Sequence, residues 1–339
     1  MAQASTANNP SRIVAGIDEA GLGPLLGPLT LGFSVMRLPG SGLNVWEALA
    51  EIVAPLPGRK EERIVVADSK KVYARNPRGR ARLETSVLSF LSQRPNGAPN
   101  NGADLLRTEA PKLRPRAADI AAHPWYGALP ASLPLWCDAG RLELRADSLR
   151  RAMGQKNIQL LDAGVRVVPA GELNRSFRRT RNKSATVWQI VGDILVHIWQ
   201  SYAHEQPHVI IDRQGGRFRY GGPLNRLFPG ARLRVVKETP QQSEYHHEGK
   251  PTADGAPQGM RLTFAEKAED RAFTVALGSC LAKYARELTM NAFNSYFEAL
   301  QPGLAPTAGY TTDGRRWVQD AEKMLKSNHI DPEVLIRQR

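Results

Sequence analysis

Several apolar runs in this chain end on acidic residues. Ile13, Val14 and Ile17 lead into Asp18-Glu19, and after a glycine-rich stretch Leu29, Leu31, Phe33 and Val35 alternate with small or polar positions. Alternation with a period of two marks a strand with one buried face, so Arg12–Met36 reads as strand, turn, strand. Trp46–Val53 suits a short helix, and Ile64–Ala67 is a short apolar run ending in Asp68-Ser69-Lys70-Lys71. Leu83, Val87 and Phe90 share one face of a helix over Leu83–Leu91, and Arg141–Met153 has helical periodicity. Ile158–Pro169 reads as strand, turn, strand. Over Glu172–Tyr202, a basic lead-in with Arg175, Arg178, Arg179, Arg181 and Lys183 precedes the stripe Val187, Ile190, Val191, Ile194, Leu195, Ile198 of one helix. His208–Asp212, Leu233–Lys237 and Arg261–Phe264 read as strands. Phe273–Tyr296 is a long helix, and Arg316 opens a last helix with a basic tail. Residues 92–119 and 240–259 are rich in Pro, Gly and polar residues and read as loops.

Strands alternating with helices predict an α/β fold, a mixed sheet flanked by helices. The organisation expected is a disordered tail at 1–11 and a catalytic domain at 12–300 with an insertion around 92–162. A helical extension at 301–339 carries Tyr310. Trp125 and Trp136 are expected to pack the insertion onto the body. None of the apolar runs is long enough to span a membrane. Met1–Pro10 lacks the basic-then-apolar order of a secretory signal. The two cysteines among 339 residues, Cys137 and Cys280, supply neither a disulfide framework nor a zinc site, so a cytoplasmic location is the default. His246-His247, in a polar stretch without nearby cysteine, reads as solvated loop rather than metal site.

A net charge of +13 favours a polyanionic partner. The acids then stand out against it. Asp18-Glu19, Asp212 and Glu269-Asp270 each close a strand or precede a helix, and strand ends of an open α/β sheet gather on one edge. Adjacent buried carboxylates are costly unless a cation meets them, and hard oxygen donors suit Mg²⁺ or Mn²⁺. Four of them can hold two ions about 3.5–4 Å apart, the arrangement that cleaves phosphodiesters without a nucleophilic side chain. No Ser-His-Asp or Cys-His set competes with it. The glycines after Glu19 free backbone N–H groups for close approach to a ligand.

The stretch from Gly16 to Pro28, Gly-Ile-Asp-Glu-Ala-Gly-Leu-Gly-Pro-Leu-Leu-Gly-Pro, closely resembles the first motif of the type 2 ribonucleases H, the ribonuclease HII/HIII family. Asp68-Ser69-Lys70-Lys71 matches a second element. Ile210-Ile211-Asp212, Ser279-Cys280-Leu281-Ala282-Lys283 and Gly309-Tyr310-Thr311-Thr312 resemble further ones, in the family's order. The resemblance implies a ribonuclease H-like fold and cleavage of RNA strands paired to DNA, or of ribonucleotides embedded in duplex DNA. It implies Asp18, Glu19, Asp212 and Glu269 (or, with a one-residue shift, Asp270) as ligands of two Mg²⁺ or Mn²⁺ ions. Gly21, Leu22 and Gly23 would recognise the ribose 2′-OH through their backbone, and Tyr310 would stack on the sugar. Lys70 and Lys71 would hold phosphates, and Ser279 and Lys283 would also serve substrate binding. The chain departs from the pattern at Leu22, where the family has Arg or Lys, at Ala308 before Gly-Tyr, and at Leu277-Gly278. With two cations lost, Arg213, Arg217 and the Arg175–Lys183 cluster are expected to contribute phosphate contacts. Two other interpretations fit the same residues: a non-catalytic nucleic-acid-binding relative, and a DNA nuclease of the same fold.

Overall fold

The computed structural model describes residues 11–338 except 41, 60 and 109. The tail expected over residues 1–11 lies, but for residue 11, outside the described residues. A seven-stranded mixed sheet with helices on both faces forms the body, which meets the α/β expectation. Its strands are β1 (Arg12–Ala20), β2 (Leu29–Leu38), β5 (Gln159–Val168), β6 (His208–Asp212), β7 (Arg232–Glu238), β8 (Gln242–Glu248) and β9 (Gly259–Ala265). β3 (Val53–Ala54) and β4 (Ile64–Val65) make a separate small parallel pair. The order in the large sheet is β5-β2-β1-β6-β9-β8-β7. β1, β6 and β9 run parallel, while β2 is antiparallel to both β1 and β5. The long helices are α1 (Pro77–Leu91), α2 (Ala139–Gln155), α3 (Ala170–Thr180), α4 (Lys183–Tyr202), α5 (Phe273–Leu300) and α6 (Thr311–Asp320).

Side chains alternate across the sheet as its period requires. Ile13, Ala15 and Ile17 of β1 and Leu29, Leu31, Phe33 and Val35 of β2 pack with the stripe Val187–Ile198 of α4. The opposite face meets α5, and glycine lets it come close. A Cβ on Gly16 would lie 2.2 Å from the backbone of Thr274 and Val275, and one on Gly32 would lie 2.0 Å from the Gly278 carbonyl. The gap is bridged by hydroxyls: Thr30 Oγ1 donates to the Ala282 carbonyl and Ser34 Oγ to that of Thr274, both at 2.9 Å. Gly278, a departure from the family pattern, is therefore a packing feature.

Several sequence expectations change here. The 158–169 stretch holds one strand, β5, because pairing along β2 continues past a bulge at Val35/Met36. The helix expected over Glu172–Tyr202 is two helices, broken where Arg181 takes a left-handed φ of 48° and Asn182 caps α4. The loop expected at 240–259 contains β8, whose pairing with β9 buries alternate residues. His247 is consequently buried against Trp199 and Phe228, and burial pushes its imidazole down to about 4. The helix expected at Trp46–Val53 covers only Val45–Ala48, and the C-terminal helix starts earlier, at Thr311, and is interrupted. The 92–119 stretch holds a short helix at Gly102–Leu105 and the start of another, Ala117–Ala121.

Trp125 and Trp136 pack as expected. Trp125 meets Phe293 and Phe297 at 5.3 and 5.5 Å, and Trp136 lies edge-on to Tyr284 at 5.9 Å. Glu84, fully buried on α1, accepts from the N–H groups of Leu135, Trp136 and Cys137 and from the Tyr284 hydroxyl. One carboxylate thus ties the 130s segment to two helices.

The contact at Gly32 leaves no room for a methyl group, since the obstacles are backbone atoms of α5. Gly32→Ala is expected to destabilise the fold by about 3 kcal/mol, at the upper end for overpacking. Urea unfolding checks this, and a midpoint unchanged from that of the unmodified chain would refute it.

Candidate active site

Parallel pairing assembles the acids. Ile17 of β1 is in register with Ile211 of β6, so Asp18 and Asp212 follow one step further on neighbouring strands. Asp212 is itself paired with Ala265, the last residue of β9. The chain then turns through a single 3₁₀ turn, Ala268–Asp270, whose Ala268 N–H donates to Asp212 Oδ1 at 3.1 Å. That turn places Glu269 beside Asp212. Asp270 points elsewhere and pairs on the surface with Lys71 at 2.5 Å.

The four carboxyl groups feel one another. Burial, then the neighbouring Glu19 charge, holds Asp18 well above the ordinary aspartate range. Glu19 is pushed up to about 7 by burial and then by Asp212, with Lys70 opposing. Burial raises Asp212, and Glu269 is pushed up to about 7 by burial, with Asp212 and Asp68 adding to the rise. Asp18 is braced: Oδ1 accepts the Glu19 N–H at 2.7 Å, and the neighbouring Ser279 hydroxyl favours its ionised form against the effect of burial.

Ser279 is only 2% exposed. Its Oγ donates to Ser69 Oγ at 3.1 Å and accepts the Ser69 N–H at 3.3 Å. It therefore locks the Asp68-Ser69-Lys70-Lys71 turn, where Asp68 caps the helix Ser69–Val72, against the acid cluster. Lys70 is exposed and close enough to lower Glu19 and Asp212 electrostatically. Lys283 pairs with Glu287 at 2.6 Å and lies over the Tyr73 ring at 4.3 Å. Of the expected auxiliary cations, Arg213 pairs with Glu266, Arg175 with Asp119 and Arg178 with Glu333. Arg217 reaches Ser184 at 2.8 Å and covers the Trp188 and Tyr220 rings.

The glycine turn continues directly from Glu19. Gly21 has a φ of +83°, and a Cβ there would meet the Arg286 guanidinium at 2.8 Å, so glycine is needed on both counts. Gly309 docks the Gly-Tyr element onto this turn: its carbonyl accepts from Leu25 N–H at 2.7 Å and Leu26 N–H at 3.1 Å. Tyr310 next to it is 48% exposed, with Arg75 5.9 Å from its ring centre. The expected residues at the strand ends and the glycine turn thus share one edge of the sheet.

Two residues with a part in this arrangement escaped sequence reasoning. Arg286 and Arg337 are buried under the glycine turn and donate to its carbonyls. Arg286 lies seven residues beyond Ser279 on the same helix, a spacing that carried a signal. Arg337 comes from a distant segment and carried none.

No family model and no curated protein matches the chain. Solved structures do. Ribonuclease HII from Archaeoglobus fulgidus, in a complex with PCNA, is 14% identical with a TM-score of 0.41, over 96% of this chain and 94% of that one. Ribonuclease H2 from Pyrococcus horikoshii is 16% identical with a TM-score of 0.43, over 95% and 92%. A Bst ribonuclease HIII in complex with Mn²⁺ is 13% identical with a TM-score of 0.40, over 99% and 70%. The chain is similar to these ribonucleases H.

The donors suit a hard divalent ion in kind. All are carboxylate oxygens, burial raises the pKa of each, and Glu269 Oε2 is buried with no hydrogen-bond partner. As the side chains stand, no group of three or more His, Cys, Asp or Glu among the described residues is gathered tightly enough to hold an ion.

A raised carboxyl pKa penalises the folded, metal-free state. Glu19 and Glu269 take up protons near pH 7 when folded but near 4.5 when unfolded, so the folded state binds more protons between those values. Stability of the metal-free protein therefore falls as pH rises from about 4.5 to 7. Glu19→Gln is expected to flatten that dependence and to stabilise the metal-free protein at pH 8 by about 1–3 kcal/mol. Thermal melts at pH 5.5 and 8 in EDTA check both; an unchanged pH slope in the variant would refute the electrostatic account.

Proposed function

We propose that this protein is a Mg²⁺- or Mn²⁺-dependent endonuclease of the type 2 ribonuclease H kind, acting on RNA–DNA hybrids or ribonucleotides embedded in duplex DNA. The observation that carries the proposal is the convergence of Asp18, Glu19, Asp212 and Glu269 on one sheet edge beside a glycine turn, in a chain whose net charge is +13. Divalent ions, when bound, would supply an activated water and stabilise the leaving oxygen. The protein's own work is to hold the acids and the duplex. Asp18, Glu19, Asp212 and Glu269 would be the ligands. Asp270 is left out of that set, because it is committed to Lys71. Ser279 stands beside Asp18 and fixes the Asp-Ser-Lys-Lys turn, so Lys70 can meet a phosphate as a point charge. The N–H groups of Gly21–Gly23 would take the 2′-OH, the group that separates ribose from deoxyribose. Tyr310, docked through Gly309, would stack on the neighbouring sugar.

Cleavage is tested on duplexes carrying one ribonucleotide, four ribonucleotides, or a complete RNA strand, with Mg²⁺ or Mn²⁺. The single-ribonucleotide duplex is expected to be cut. Asp18→Asn and Glu269→Gln should each lower the rate on the order of 10²–10³-fold, as when a transition-state charge stabiliser is removed. Asp270→Asn should stay within about threefold, the range of a surface ion pair. Salt-sensitive binding without turnover of any duplex would favour a non-catalytic binding protein, and equal cutting of all-DNA junctions would favour a DNA nuclease. Either result would overturn the proposal.

A further inference from the structure

Position 22 carries a leucine inside the glycine turn, and its side chain packs toward the apolar layer shared with α4. The turn nevertheless has a cation, delivered from behind. Arg337 is 4% exposed, and its guanidinium donates Nη1 to the Gly21 carbonyl at 2.5 Å and Nη2 to the Leu22 carbonyl at 3.0 Å. Arg286 does the same further along, to Pro28 at 2.6 Å, Ala308 at 3.1 Å and Leu26 at 3.4 Å. Among the described residues, every hydrogen bond from these two guanidinium groups goes to a backbone carbonyl. Burial lowers both, and Arg337 is pushed down to about 9 by burial and by the charge of Arg286.

The segment bearing Arg337 is strapped in place. Ile336 forms a bridge with Leu26, and Arg337 N–H donates to the Leu25 carbonyl at 2.9 Å. Asn174 of α3 donates to the Glu333 and Ile336 carbonyls at 2.7 and 2.8 Å and accepts Gln338 N–H at 2.7 Å. The fork of Arg337 pulls two successive carbonyls inward. Among the described residues, the N–H groups of Gly21, Leu22 and Gly23 have no acceptor in the chain. Inward carbonyls and uncommitted N–H groups make one side of the turn a donor surface, with a buried positive charge behind it.

We propose that Arg337 is the positioning residue for ribose recognition: it fixes the Gly21-Leu22 peptides with their donors free for a 2′-OH and supplies the charge that Leu22 does not. This rests on the ribonuclease reading above. Without Arg337 two carbonyls of the turn lose their donors, and the turn can relax to satisfy them elsewhere.

The test measures Kd by fluorescence anisotropy, in the non-cutting Asp18→Asn background with Mg²⁺, for a duplex with one ribonucleotide and for its all-DNA counterpart. Adding Arg337→Ala is expected to cut the preference for the ribonucleotide duplex about tenfold, while affinity for the all-DNA duplex changes less than about twofold. Millimolar guanidinium ion should restore part of the preference, which a merely structural lesion would not show. Arg337→Lys, which keeps the charge but loses the two-pronged fork, should fall between the two. It also serves if the alanine variant does not fold. A folded Arg337→Ala or Arg337→Lys protein with undiminished preference overturns the inference and leaves the ribonuclease reading standing. Absence of any preference when Arg337 is intact overturns both.

Discussion

The close approach of α5 to β1 and β2 is the constraint on which the site depends. Gly16, Gly32 and Gly278 remove the side chains that would otherwise keep the helix at ordinary distance. Asp18 is in register with Gly32 and follows Gly16 on the same face of the sheet. The one face from which Asp18 can be braced is therefore the face that α5 covers, and only a closely seated helix brings the Ser279 hydroxyl to it. The hydroxyls of Thr30 and Ser34 complete the contact by bonding carbonyls of α5. Such bonds to carbonyls already engaged in a helix hold the helix against sliding without breaking its ladder.

Charge is distributed against local stability. Four carboxyl groups crowd one edge with their ionisation suppressed, and two arginines lie buried with only carbonyls for partners. Neither group neutralises the other. A fold selected for stability alone would pair them or remove them. Keeping them apart leaves an unneutralised acidic edge and, immediately after it in the chain, a turn with uncommitted N–H donors. Surrounding basic residues follow the opposite rule: Arg175, Arg178 and Arg213 are each paired with an acid, which holds their side chains in fixed places.

Much of this was legible in the sequence because it is local. Alternation marked β1 and β2, the apolar stripe marked α4, and the acids stood at the ends of recognisable strands. Register was not legible, and register is what separates Glu269 from Asp270: adjacent residues on a 3₁₀ turn leave in different directions, and only the turn's anchoring to Asp212 decides which faces the cluster. The β8 strand was hidden because its buried face uses Ser243, Tyr245 and His247, which do not read as an apolar alternation. The break between α3 and α4 was hidden because a left-handed arginine has no sequence signature, unlike a glycine in the same place. Arg337 was hidden for a third reason. Its partners are carbonyls, which every residue possesses, so no complementary residue type could announce the contact.

That last point bears on the position of Leu22 within the turn. A cation carried within the turn would sit on the ligand's side and be solvated there. A cation placed behind the turn acts through the peptide groups, aligning their dipoles and adding its field in a poorly screened interior. Helix α5 supplies the frame for both devices. Ser279 and Arg286 are seven residues, or about 10 Å of helix axis, apart on one face. The first stands beside Asp18 and the second bonds to the far end of the glycine turn. A displacement of α5 would therefore move the acids and the turn together, keeping the spacing between the carboxylate edge and the glycine turn while the loops around them vary.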